Sequence, residues 1–159
     1  MCQNCGCLAN TLINELTEEH DRVVELIRSA GEHQKAGRGA EAIRDCQGIS
    51  AILVPHTIVE EAGLFHELLD EFPHQLAELI DEHRQIERVL AEAVEAAESA
   101  LADPSWPGRL HTALAQLREH ILKEQDGVFP AAVIALDGEQ WERVQIIRER
   151  SGSALEARS

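Results

Sequence analysis

At 159 residues the chain is long enough for one hydrophobic core and too short for two comfortable domains. Its formal charge of -15 argues against nucleic acid and anionic membrane as partners, leaving much of that charge for solvated helix faces. No run of 18 apolar residues and no basic-then-apolar leader is present, so a cytoplasmic protein without a membrane span is expected.

Alanine, leucine, glutamate and isoleucine dominate, proline is scarce and alternating β-branched runs are missing, which predicts an all-α fold. Residues 1–10 read as a Cys/Gly/Asn segment without helical periodicity, and Thr11 and Thr17 both suit the N-cap of a first helix. That helix carries His20, Val23, Val24, Ile27 and Ala30 on one stripe and ends among Gly31, Gly37 and Gly39. A second helix from about Ala40 to about Asp70 aligns Ile49, Ile52, Leu53, His56, Val59, Glu60 and Gly63, and Pro55 is predicted to bend it beside His56. After a turn at Glu71-Phe72-Pro73-His74, the strongest periodicity of the chain runs from Leu76 through His83 and Ile86 to Leu101, ended by Asp103-Pro104-Ser105-Trp106-Pro107-Gly108. A fourth helix aligns Leu110, Ala113, Leu117, His120, Glu124 and Val128 and continues to about Leu136. Asp137-Gly138 breaks it before a short fifth helix, Trp141 to Arg150, and a frayed tail from Ser151. The expected architecture is an antiparallel up-down-up-down four-helix bundle over residues 11–136, with residues 137–159 supplying the short helix and a disordered tail.

Two stretches organise this layout. His56-Thr57-Ile58-Val59-Glu60-Glu61-Ala62-Gly63-Leu64-Phe65 returns 64 positions later as His120-Ile121-Leu122-Lys123-Glu124-Gln125-Asp126-Gly127-Val128-Phe129, both reading H-x-x-x-E-[EQ]-x-G-[LV]-F. On a helix, positions i and i+4 share a face, so each stretch aims an imidazole and a carboxylate at one spot, which is metal-ligand spacing. Upstream, Glu18-Glu19-His20 is echoed by Asp81-Glu82-His83. The chain thus reads as two copies of a helix pair, each offering one lone His and one H-x-x-x-E, and facing copies would make a dinuclear site with pseudo-twofold symmetry. Any one of these residues has an ordinary explanation, a satisfied core histidine or a misphased surface glutamate. The duplication does not, because two unpartnered carboxylates in one small core are costly.

Through Glu19-His20, His56-x-x-x-Glu60, Glu82-His83 and His120-x-x-x-Glu124-Gln125, the sequence resembles the hemerythrin-like family of HHE cation-binding domains over roughly residues 10 to 135. The resemblance implies a four-helix bundle holding two non-haem iron ions, oxo- or hydroxo-bridged, with Glu60 and Glu124 as bridging carboxylates and His20, His56, His83 and His120 as terminal ligands. Oxygen-carrying members have H-x-x-x-H on the third helix, whereas here Glu87 stands four residues after His83 and Val24 four after His20. Glu87 either ligates one iron and leaves the other an open position, or pairs with a surface arginine. A carboxylate in place of an imidazole favours ferric iron over reversible O2 carriage. The leading expectation is therefore reaction with peroxide, O2 or nitric oxide in oxidative-stress handling, including a catalase-like activity. The alternatives are an O2, nitric oxide or iron sensor without turnover and an interaction protein stapled by metal.

Three of the four cysteines crowd into Cys2-Gln3-Asn4-Cys5-Gly6-Cys7, too close for an ordinary disulfide framework, which suggests a thiolate metal site or a redox role. Three thiolates need a fourth ligand for tetrahedral zinc, and Cys46 lies roughly 15 Å from His56 in the wrong direction. A second, structural zinc site of two or three of Cys2, Cys5 and Cys7 with His74 or His66 is expected, against a tail of reactive thiols. His33 and His111 are expected to be exposed or locally bonded, and Trp106 and Trp141 to close the bundle ends.

Overall fold

The computed structural model describes residues 5–155, and no strand occurs among them. Helix α1 is Cys5–Lys35 and α2 is Gly39–Leu68. Helix α3 spans 73–102 as Pro73–Glu95 and Ala97–Ala102, α4 spans 106–135 from Trp106–Lys123 to Phe129–Ala135, and α5 is Gly138–Ser151. Each of the first three helices packs on the next and α4 returns to α1, while α5 lies across α1 and the C-terminal part of α2. Helix α2 is long and apolar enough to cross a membrane by length and composition, and half of that window is buried inside the protein.

The first helix begins earlier than its periodicity suggests. Ala9, Leu12 and Leu16 are buried at helical spacing, so core contacts hold residues 5–10 in the helix. Neither threonine caps it. The Thr11 hydroxyl donates back to the Cys7 carbonyl at 2.9 Å, four residues upstream, as mid-helix threonines do. At the other end Gly37, at φ 72°, makes the left-handed turn into α2. In α3 the ladder is interrupted at Ala96, where the Gln47 side chain donates to the Ala93 carbonyl at 3.1 Å and takes the acceptor that Ala97 would have used. Helix α5 starts at a capping box in which Asp137 accepts from the Gln140 amide and the Gln140 side chain accepts from the Asp137 amide.

Two apolar clusters fill the interior. One gathers Val23, Ile49, Ile86, Leu90, Trp106, Leu110 and Leu117, the other Leu12, Leu16, Leu64, Phe65, Leu76, Phe129 and Trp141. Along each long helix one buried histidine falls where the first cluster gives way to the second, as at Leu16-His20-Val23 and Leu79-His83-Ile86. The tail does not fray at Ser151, since Ala154 packs against the first cluster and the Ser153 hydroxyl reaches Glu19. Cys46 is fully buried as a free thiol, and burial with the neighbouring Asp45 charge pushes it up to about 12. Native protein and its Cys46→Ala variant should therefore give equal thiol counts with a disulfide reagent at pH 8 and differ by one after denaturation.

Candidate metal centre

Both H-x-x-x-E stretches leave the α-helix at the glutamate. Val59–Phe65 and Glu124–Val128 are π-helical turns, the Phe129 amide reaching back five residues to the Glu124 carbonyl. Pro55 sits inside α2 as read, but the position 64 residues on is Glu119, so proline is not what widens both turns. The widened turns lie at the carboxylates themselves, where π-bulges commonly mark functional sites. Gly63 and Gly127, the repeated glycines, differ in use. A Cβ on Gly63 would lie 3.3 Å from Val144 Cγ1 of α5, whereas one on Gly127 would meet nothing within 4 Å. Gly63→Ala is expected to cost roughly 1–3 kcal/mol because buried, β-branched Val144 has little room to yield. Gly127→Ala should be neutral or stabilising by up to about 1 kcal/mol, as thermal melts of the two variants would show.

Six of the predicted ligands are brought together, in two groups: His20, His56 and Glu60, and His83, His120 and Glu124, all buried. Within the groups His56 Nε2 lies 2.7 Å from Glu60 Oε1 and His120 Nε2 lies 3.0 Å from Glu124 Oε1. The carboxylates also face the opposite group, Glu60 Oε1 at 3.9 Å from His83 Nε2 and Glu124 Oε1 at 3.6 Å from His20 Nε2. Each is thus placed between both groups.

Every imidazole is oriented from behind. His56 Nδ1 donates to Glu19 Oε1 at 2.9 Å and His120 Nδ1 to Glu82 Oε2 at 2.7 Å, each carboxylate coming from its own copy of the repeat. The lone histidines are served across the copies: His83 Nδ1 donates to Glu61 at 2.8 Å, and His20 Nδ1 to Gln125 at 3.0 Å. The repeated phenylalanines follow the same exchange, Phe65 stacking on His83 and Phe129 on His20. With Nδ1 fixed as donor, Nε2 is the inward-facing nitrogen on all four rings.

This geometry fits cations. His83 Nε2 and His120 Nε2 are 2.8 Å apart, and His20 Nε2 and His56 Nε2 are 3.0 Å apart. Two neutral imidazoles so arranged oppose lone pair to lone pair unless a cation lies between them. Both Glu124 oxygens and Glu60 Oε2 are buried without a hydrogen-bond partner, the Glu124 contact to His120 being close but misaligned. Burial pushes the Glu60 carboxyl up, but the His56, His20 and His83 imidazoles outweigh it and hold the group at about 2. His20 is lowered to about 4 by burial and by His56 beside it, and burial with His83 lowers His120. His56 rises to about 9 against its burial, under Glu60 and Glu19. The arrangement favours positive charge between the ligands, supplied by a proton at His56 or by a metal. The cavity they enclose is about 10 Å³, walled by Leu53, Ile86, Leu117 and Ile121, roughly the room of one water molecule.

Glu87 borders this cavity, yet both of its oxygens accept from Arg84 Nη1 at 3.0 and 2.9 Å, and it is not among the grouped ligands. Its arginine pairing is the alternative that the structure displays, because Arg84 is three residues away on the same exposed face. The zinc ligands are not brought together among the described residues: His66 and His74 are exposed, and Cys2 and the Cys5 side chain lie outside those residues. Cys7 is disulfide-bonded, which commits one thiolate that a three-cysteine zinc site needs. His33 is half-buried and bonded to Asp45, and both tryptophans are buried.

The residues missed in the sequence are those behind the ligands. Glu19, Glu61, Glu82 and Gln125 were visible as repeated positions without a role, and their duplication was the available signal. Arg148 had no such signal. From α5 its Nη1 and Nη2 reach Glu19 Oε1 at 3.1 Å and Oε2 at 2.9 Å, and it is itself buried.

The family model described as the hemerythrin HHE cation binding domain matches residues 11–132. No curated protein and no solved structure gives a match.

Proposed function

Because the chain belongs to the hemerythrin family of HHE cation-binding domains, we propose that its two His/Glu groups hold a pair of non-haem iron ions that react with a small oxygen species, peroxide or O2, or with nitric oxide. The observation that carries this reading is the pairing of inward-facing Nε2 atoms with buried, partnerless carboxylate oxygens. Hard carboxylate and borderline imidazole donors in this ratio suit iron. In this reading the four long helices run up-down-up-down, and the protein works in the cytoplasm.

When bound, iron supplies redox chemistry and a cationic seat for a ligand of two or three atoms. His20, His56, His83 and His120 would hold it through their inward-facing Nε2 atoms, and Glu60 and Glu124, each facing both groups, would supply carboxylate ligands to it. Glu19, Glu61, Glu82 and Gln125 fix the ring planes, so little reorganisation accompanies a change of charge at the centre. The aliphatic walls exclude bulk water and larger substrates.

Besides the ligands, the titratable side chain on the cavity wall is Glu87, and Arg84 engages it. Apart from the ligands and the Thr57 hydroxyl, which does not titrate near neutral pH, no proton donor is poised on the cavity wall among the described residues, which favours a second reading as a sensor that binds without turnover. Iron and zinc counted per chain, with visible spectra before and after peroxide, separate the possibilities. Two irons and a band that bleaches and returns as peroxide disappears support the enzyme, with loss of that consumption in Glu60→Ala or His120→Ala. A stable spectral shift without consumption supports the sensor, and redox-silent zinc in both groups would refute the di-iron reading.

A further inference from the structure

The repeat places chemically different groups behind its two halves. His83 and His120 each donate to a carboxylate, Glu61 at 2.8 Å and Glu82 at 2.7 Å. The countercharges on those carboxylates, Arg84 and Lys123, are about half exposed, where water screens them. In the other half His20 donates to the neutral amide oxygen of Gln125 at 3.0 Å. His56 does donate to a carboxylate, but Glu19 shares its two oxygens with the buried guanidinium of Arg148 and the Ser153 hydroxyl. Arg148 and Ser153 come from α5 and the segment after it, beyond the residues 11–132 that the family model matches.

A carboxylate behind a metal-bound imidazole raises its basicity and its grip on the metal, and an amide does so less. A buried arginine on that carboxylate draws its charge away in a medium that screens poorly, whereas a solvated lysine draws away less. Both differences act in the same direction. We propose that the two metal subsites are unequal, that His83, His120 and Glu124 bind the first and tighter ion, and that Gln125, Glu61 and the Arg148–Glu19 pair are the positioning residues that set the order. The inference rests on the metal-binding reading above but not on iron or on any turnover. Its consequence is a centre that passes through a one-metal state, with the subsite next to α5 filled last and emptied first.

Titration of the metal-stripped protein with cobalt(II), followed by visible absorption, tests the order. Two unequal steps are expected. His20→Ala should keep the tight step and lose the weak one, and His83→Ala should do the reverse. Gln125→Glu, which gives the weaker half the residue its counterpart already has, should strengthen the weak step by about 10–100-fold, and Glu61→Gln should weaken the tight step by a similar factor. A gain of affinity is a result that a merely structural role for Gln125 would not produce. Two equal steps, or a folded Gln125→Glu protein with its weak step unchanged, would overturn the inference while leaving the metal sites standing. Failure of the wild-type protein to bind cobalt at all would instead overturn the metal reading, and the order with it.

Discussion

Glu124→Leu is expected to raise the melting temperature of metal-stripped protein and to lower that of metal-loaded protein. Both Glu124 oxygens are buried without a hydrogen-bond partner, on a residue 1 % exposed. A buried polar group left without its hydrogen bonds costs about 1–3 kcal/mol, and a leucine of similar volume carries no such cost. For a chain of this size, 1 kcal/mol moves the midpoint by roughly 2–4 °C, so the stripped variant should melt about 2–12 °C above stripped wild type. With metal present the order inverts, because the variant lacks a ligand and forgoes the stabilisation of a tightly bound ion, about 2.7 kcal/mol at a hundred times the dissociation constant. Melts of both proteins with and without metal give all four midpoints. A stripped variant that melts below stripped wild type would mean that Glu124 is satisfied without metal.

Arg148→Met should be the most damaging single change outside the ligands. Glu19 is 0 % exposed and Arg148 4 %, so removal of the guanidinium takes the fixed positive charge from a core carboxylate and leaves it His56 and the Ser153 hydroxyl. Breaking such a pair costs about 3–5 kcal/mol, or roughly 6–20 °C here. Glu19→Gln added to the variant should recover part of the loss, giving a coupling that independent sites would not show. The acid limb should move as well. Burial raises the Glu19 carboxyl, but His56, Arg148 and Ser153 outweigh it and hold the group at about 2, below its ordinary 4.5. A depressed carboxyl contributes stability that is complete above about 4.5 and lost as pH falls towards about 2. Without Arg148 the carboxyl is less depressed, so in metal-stripped protein the stability lost below about 4.5 should be smaller and its loss complete at a higher pH, as melts from pH 7 to pH 2 would record.

Much of the centre was legible because function had been written twice. His20, His56, Glu60, His83, His120 and Glu124 were found from spacing, and the structure gathers all six. The repeated [EQ] and phenylalanine positions were visible too, but their purpose was not, since each serves the lone histidine of the other copy. Such an exchange is a property of the packed pair, not of either stretch. Glu87 shows the reverse limit: helical spacing put it near the cavity, and an arginine three residues away on its own helix takes up its carboxylate. The early start of α1 was missed because Ala9 and Leu12 look unremarkable beside glycine and cysteine until α5 and the end of α2 supply something to bury them against.

The sequence by itself determined the helical class, the order of the helices and the six His and Glu positions that the core gathers, because helical periodicity and i to i+4 spacing are local and were repeated. Tertiary structure alone decided what stands behind each ligand. Arg148 lies 129 residues from Glu19 along the chain, and no local rule of propensity or spacing joins them. That contact, with glutamine opposite glutamate behind the lone histidines, turns a symmetric repeat into a centre with two unlike halves. The physical reason is that a metal ligand is chosen by the geometry of its own turn, whereas its strength is set by whichever charges the folded core brings to its far side.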